Sequence, residues 1–249
     1  MVRDYLLIDK DFTEWKHRQK TMFPETHWTL IANATLNGDG EGRKALTRLC
    51  ERYYVPVRKF ILWTGRSDAE ADDLTQAFLL HLCEKGIVHQ ADRLRGRFRS
   101  FVISVLKHFL SHHDRRAAAV KRGGEIEIIP LEPEIHDAEA AGEDRAQFDR
   151  QWAITLMERS LAAVFAELAQ TRGDTPAEIL KQFLSMQQSA PTYEAAAAKL
   201  GITEGAMKME VLRWRRRLGE QVRREIAITV SSPHEIEEEL QYLRELLLS

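Results

Sequence analysis

Residues 193–208 read YEAAAAKLGITEGAMK, and this stretch decides the fold. Its run of four alanines favours helix, Gly201 can adopt the left-handed backbone that ends one, and Thr203 is placed to cap the next. Two helices joined by a tight glycine-containing turn follow from that order. Ala196 and Ala197 are small enough to let the second helix cross closely, with Ile202, Met207 and Val211 predicted to pack inward. Glu204, Lys208 and Arg213 are then left on the outer side, where a major groove or its phosphates would meet them.

Upstream, apolar residues recur at three-to-four spacing through Leu46, Leu49, Cys50, Tyr53 and Tyr54, and Pro56 interrupts a continuation through Phe60, Ile61 and Leu62. Ser67 followed by Glu70 reads as a capping box for a helix bearing Leu74, Phe78, Leu80 and Leu82, with Gly86 as its stop. Phe98, Phe101, Val102, Val105, Leu106, Phe109 and Leu110 mark a further helix running toward Arg115 and Arg116. Later helices are predicted over about 152–169, 175–186 and 235–248, the last with Ile236, Leu240, Leu243 and Leu247 on one side. A short capped helix carrying Trp28, Leu30 and Ile31 is predicted near the start, and residues 126–131 are the one weak strand candidate. The chain reads as all-α.

In 249 residues, 36 Lys and Arg stand against 38 Asp and Glu, so affinity for a polyanion must come from local clustering rather than net charge. Residues 93–122 hold nine basic side chains and one acid, and residues 206–225 hold seven against three. Between them, residues 123–150 carry nine acids and two arginines, the composition of a solvated linker. Two cationic clusters on two helical units suit counterion release from phosphates, and Phe98 lies among the arginines where it could stack on a base. Two cysteines are too few for a disulfide framework and fit a reducing compartment; each is predicted to serve as a small buried hydrophobe. No apolar run approaches the length of a membrane span, and the N-terminus lacks the layout of a signal peptide.

Residues 38–42, read GDGEG, lack the preceding strand and following lysine of a phosphate-binding loop. His81, Cys83 and His89 fall on different faces of a helix and its end, and His112, His113 and Asp114 have no neighbouring nucleophile. No catalytic residue and no cofactor or metal is predicted, so the chain reads as a binding protein rather than an enzyme.

Taken in order, residues 26–28 (THW), 71–82 (ADDLTQAFLLHL), 95–101 (RGRFRSF) and 193–208 resemble bacterial extracytoplasmic-function sigma factors, particularly the planctomycete-like branch. The resemblance implies a sigma region 2-like helical bundle over 26–122 and a region 4-like helix-turn-helix domain over 151–230. An acidic linker over 123–150 would join them, with an extension over 1–25 and a helix over 231–249 outside the minimal pattern. It implies that Asp73, Gln76 and Leu80 contact core RNA polymerase. Arg95, Arg97, Phe98, Arg99, Lys107, Arg115 and Arg116 would face the −10 element of promoter DNA, and Thr203, Glu204, Lys208, Arg213 and Arg216 the −35 element. The cysteine usage and the missing signal and membrane segments point to a cytoplasmic location, and the likeness admits an anti-sigma factor or other inhibitory partner. Departures from the family pattern are Ala77 where an acid is common, Lys107 and His108 for an Arg-Asn pair, Phe101 for a frequent Trp, and Glu210 at an often basic position, where an acid would repel phosphate or accept from cytosine. The alternative left open is a helix-turn-helix DNA-binding regulator, or a regulatory protein that keeps the fold without initiating transcription.

Overall fold

The computed structural model describes residues 40–84, 87, 97–121, 142–185, 190–230 and 232–248, with backbone alone at 40–43, 45, 48, 84, 120 and 121. The described residues form eight helices and no strand: α1 (Gly40–Trp63), α2 (Asp68–Glu84), α3 (Phe98–Lys121), α4 (Glu143–Arg172), α5 (Asp174–Leu184), α6 (Tyr193–Leu200), α7 (Glu204–Ala227) and α8 (Glu235–Leu248). The chain is all-α in this part. The predicted helix at residues 28–34, the strand candidate at 126–131 and the stop at Gly86 lie outside the described residues. Cα positions divide into two compact units, one within Glu25–Trp152 and Thr229–Ser231, the other within Ala153–Ile228 and Ser232–Ser249.

In the first unit α1 runs unbroken through Pro56, which is buried among Tyr53, Val57 and Phe60. A proline here removes one N–H from the helical ladder at a cost of about 3 kcal/mol, so burial of these neighbours must offset it. The turn after α1 is closed by Gly65, whose φ of 89° lies in the left-handed region. At the start of α2 the capping box forms: the Ser67 amide donates to Glu70 Oε2 at 3.0 Å, and the Glu70 amide donates to Ser67 Oγ at 3.4 Å. The Ser67 hydroxyl, which also donates to Glu70 Oε2 at 2.7 Å, and then the Ser67 amide hold the Glu70 carboxyl below its ordinary range.

Arg58 on α1 then staples α2. Its Nε donates to Asp72 Oδ1 at 2.5 Å, one Nη donates to Asp68 at 2.9 Å, and Tyr54 donates to the same Asp72 oxygen at 3.1 Å. The guanidinium lowers the Asp72 carboxyl from its usual value. Arg66, between the helices, reaches Asp114 of α3 at 2.5 Å. The core of the unit is aromatic: Tyr53 meets Phe98 edge-on at 5.5 Å, Phe60 meets Phe148 at 5.9 Å, and Phe78 meets Phe109 at 5.6 Å.

Residues 143–150, predicted as the end of a solvated linker, are instead the first turns of α4. Phe148 and Asp149 there are fully buried. Asp149 accepts from Arg99 Nε at 2.8 Å, with both side chains no more than 3% exposed, and the Arg99 guanidinium lies over the Trp152 ring at 5.1 Å. Composition marked this segment as polar, but it contains the apolar and anionic partners that α3 requires.

The second unit is built on α7. Met207, Val211, Trp214, Leu218, Val222 and Ile226 bury one face of a helix that runs 24 residues, longer than the short second helix predicted. Ile202, predicted inward, sits in the turn and is exposed. Arg223 donates to Glu237 at 2.9 Å and fastens α8, whose Ile236, Leu240 and Leu243 are buried. No described helix is long and apolar enough to cross a membrane.

Removing one partner of a buried ion pair leaves the other uncompensated. Asp149→Ala should therefore destabilise the chain by about 3–5 kcal/mol, whereas the double change Arg99→Met with Asp149→Leu should cost much less. Urea denaturation followed by circular dichroism measures both.

Candidate nucleic-acid and partner surfaces

The helix-turn-helix is assembled by three local devices. Thr192 caps α6 by accepting from the Ala195 amide at 3.2 Å, and Thr203 caps α7 by accepting from the Ala206 amide at 3.2 Å. Between them Gly201 takes φ 65°, ψ 28°, and the Ile202 amide donates to the Ala197 carbonyl at 3.1 Å, which closes α6. Ala196 and Ala197 are buried against α7, as their size requires.

Packing of Met207, Val211 and Trp214 turns the opposite side of α7 outward, where Lys208, Met209, Leu212, Arg213 and Arg216 are exposed. Met209 and Leu212 are 61% and 41% exposed. Sequence reading missed these two, although the signal is present: residues 209, 212, 213 and 216 follow the spacing of a single helical stripe opposite the buried one. The stripe borders an open groove of about 460 Å³ whose lining includes Met209, Leu212, Arg213, Trp214, Arg216 and Glu167.

Not every cation of the 206–225 cluster faces outward. Arg217 holds both carboxylate oxygens of Glu167 at 2.9 Å and also Glu220 at 2.9 Å, and Arg223 is taken by Glu237. Arg215 donates weakly to the Phe183 carbonyl at 3.5 Å. Among the outward residues, Lys208 pairs with Glu204 at 2.6 Å and lies over Tyr193 at 5.8 Å, and the Glu204 bond raises its pKa. Glu210 accepts from both Arg172 and Arg213 at 2.7 Å. Its charge is thus shared with two arginines in the free chain. Thr203 is exposed but commits its hydroxyl oxygen to the cap.

In the first unit α2 exposes Asp73, Gln76, Ala77 and Leu80. Leu80 is 56% exposed on the side opposite Leu74, Phe78 and Leu82, so the three predicted contact residues share one solvent face.

The arginine-rich segment before α3 fares differently. Arg95 lies outside the described residues, and Arg97 is half-buried just before the helix, its carbonyl accepting from the Ser100 amide at 2.9 Å. Phe98 was predicted to reach a base; it is fully buried, because it is the first residue of α3 and lies one turn from Val102 on the packed face. Arg99, predicted to contact DNA, is spent inside the unit on Asp149 and Trp152. Lys107 pairs with Asp144 at 2.6 Å while a third exposed, and Arg115 and Arg116 are exposed. Lys107, Ser111 and Arg115 follow at four-residue intervals, one outer stripe of α3.

His89 lies outside the described residues, and among the described residues no group of three His, Cys, Asp or Glu is placed to hold a metal ion. Compared with family models, curated proteins and solved structures, the chain finds no match.

Two glycine substitutions separate backbone conformation from space in the helix-turn-helix. A Cβ at Gly201 or Gly205 would touch nothing within 4 Å, but only Gly201 has positive φ. Gly201→Ala should cost about 1–2 kcal/mol, and Gly205→Ala should be neutral or stabilise by up to about 1 kcal/mol. Thermal unfolding of the two variants against the parent chain gives the sign directly.

Proposed function

We propose that this chain is a promoter-specificity subunit of bacterial RNA polymerase, resembling the extracytoplasmic-function sigma factors, and that it acts in the cytoplasm without catalysis of its own. The observation that carries this reading is the outer stripe of α7. A helix-turn-helix buries one face of its second helix and leaves Lys208, Arg213 and Arg216 exposed beside Met209 and Leu212. Cations on such a helix can hold phosphates or guanine edges, and apolar side chains between them can lie against thymine methyl groups. In this reading α7 engages the −35 element. The outward face of α2 with Asp73, Gln76 and Leu80 docks on core polymerase, where the exposed leucine supplies the apolar anchor. Arg97, Lys107, Arg115 and Arg116 are the described cations of that set that keep solvent exposure, Lys107 while paired with Asp144, and in this reading they contact DNA near the −10 element.

A second reading is favoured by one specific observation. Burial of Phe98 and Arg99 removes the aromatic and one of the cations expected to hold an unstacked base. A chain that binds duplex DNA through α7 alone, as a regulator without initiation activity, does not need them.

Reconstitution decides between the two. Adding the purified chain to core polymerase should start transcription from a defined set of promoters; duplex binding with no initiation would establish the regulator instead. Gln76→Ala combined with Leu80→Ala should weaken polymerase capture about tenfold or more in a pull-down while leaving DNA binding unchanged. Lys208→Ala and Arg213→Ala should each weaken duplex binding and reduce the slope of log affinity against log salt by about one. An unaltered slope would place the DNA on another face.

A further inference from the structure

Packing of α1 on α2 brings together two thiols that the proposed activity does not use. Cys50 Sγ and Cys83 Sγ lie 3.3 Å apart although 33 residues separate them in the chain, and no disulfide joins them. They sit at the edge of the first unit's core, next to the buried Leu49 and Leu82, and both remain half-exposed. A disulfide needs its sulfurs about 2.05 Å apart, so they must close by about 1.3 Å. Neither cysteine is therefore only the small core hydrophobe that the sequence suggested.

We propose that Cys50 and Cys83 form a reversible intrachain disulfide by exchange with a small-molecule disulfide such as oxidised glutathione. The hydrogen bond between the two thiols, with burial next, holds the Cys50 thiol above the ordinary thiol range, and either sulfur can be the donor. Either cysteine, once ionised, can be the first nucleophile, Cys83 for instance. Its thiolate attacks one glutathione sulfur, the glutathione S–S bond breaks, and one glutathione leaves as thiolate with the bonding pair. Cys50 then gives its proton to solvent and attacks the Cys83 sulfur of the mixed disulfide, expelling the second glutathione as thiolate. The two departing thiolates take up the two protons the cysteines lost. The dithiol is oxidised by two electrons and one oxidised glutathione is reduced to two glutathione thiols. The product fastens α2, at its C-terminal end, to the middle of α1.

The test equilibrates the full chain with buffers of graded oxidised-to-reduced glutathione ratio, quenches with acid, alkylates after denaturation and measures intact mass. The expected product is a monomer lighter by two hydrogens with both alkylation sites lost, and dithiothreitol restores them. Cys50→Ala and Cys83→Ala should each stop at a single glutathione adduct. The proposal is overturned if the parent chain keeps both thiols across the whole series, or if it accumulates glutathione adducts or linked dimers without the lighter monomer. The parent chain's mass decides the matter even if an alanine variant folds poorly.

Discussion

The angular period of α7 governs what the second unit can present. A residue advances about 100° around the helix axis, so once Met207, Val211, Trp214 and Leu218 are committed to the core, the outward direction of every other side chain on α7 is fixed. The Gly201 turn sets where α7 starts, and Arg223 with Glu237 ties its far end to α8. Met209, Leu212, Arg213 and Arg216 share a stripe because no rotation of the helix can bury one of them without exposing the core. Any ligand of this unit that uses α7 meets cation and apolar surface together.

Near equality of acids and bases imposes a second constraint. With 36 basic residues against 38 acids, many cations meet a carboxylate within the fold, and the burial of the pair decides how far the cation is committed to it. Arg217 is claimed by Glu167 and Arg99 by Asp149, each from 50 residues away. These pairs convert apparent binding residues into structural ones. For Arg99 the conversion is complete, since it is almost wholly enclosed. Lys208 differs: its bond to Glu204 is exposed to solvent, worth little in water, and an incoming phosphate can replace it.

What could be read in the sequence follows the same division. The capping box at Ser67 and Glu70, the turn at Gly201, the cap at Thr203 and the bounds of α8 are local devices, set by residues within four positions of each other. Their physics is complete in the string, whereas Asp73, Gln76 and Leu80 were set together only by the family resemblance, with Leu80 also read among the apolar residues of its helix. Arg99 and residues 143–150 were misjudged for one shared reason. Charge density along the chain says nothing about a carboxylate 50 residues away, so an arginine-rich segment and an acid-rich segment look like a patch and a linker when part of each is half of one buried contact. The apolar periodicity that placed Phe98 on the inner face of α3 was legible and outweighed the arginines around it.

Two adjacent acids on α2 show how the first unit keeps a surface available. Asp72 is turned toward α1 and held by Arg58 and Tyr54, while Asp73, one residue on, is exposed. The Arg58 staple acts on the first turns of α2, and the two cysteines meet at its last turn. Both fastenings lie on the side toward α1. Between them, and away from α1, Gln76, Ala77 and Leu80 are fixed in place without themselves being used as the fixing groups. The outward face of this helix is thus preorganised by contacts behind it, so a partner of the kind proposed would not need to order the helix on binding.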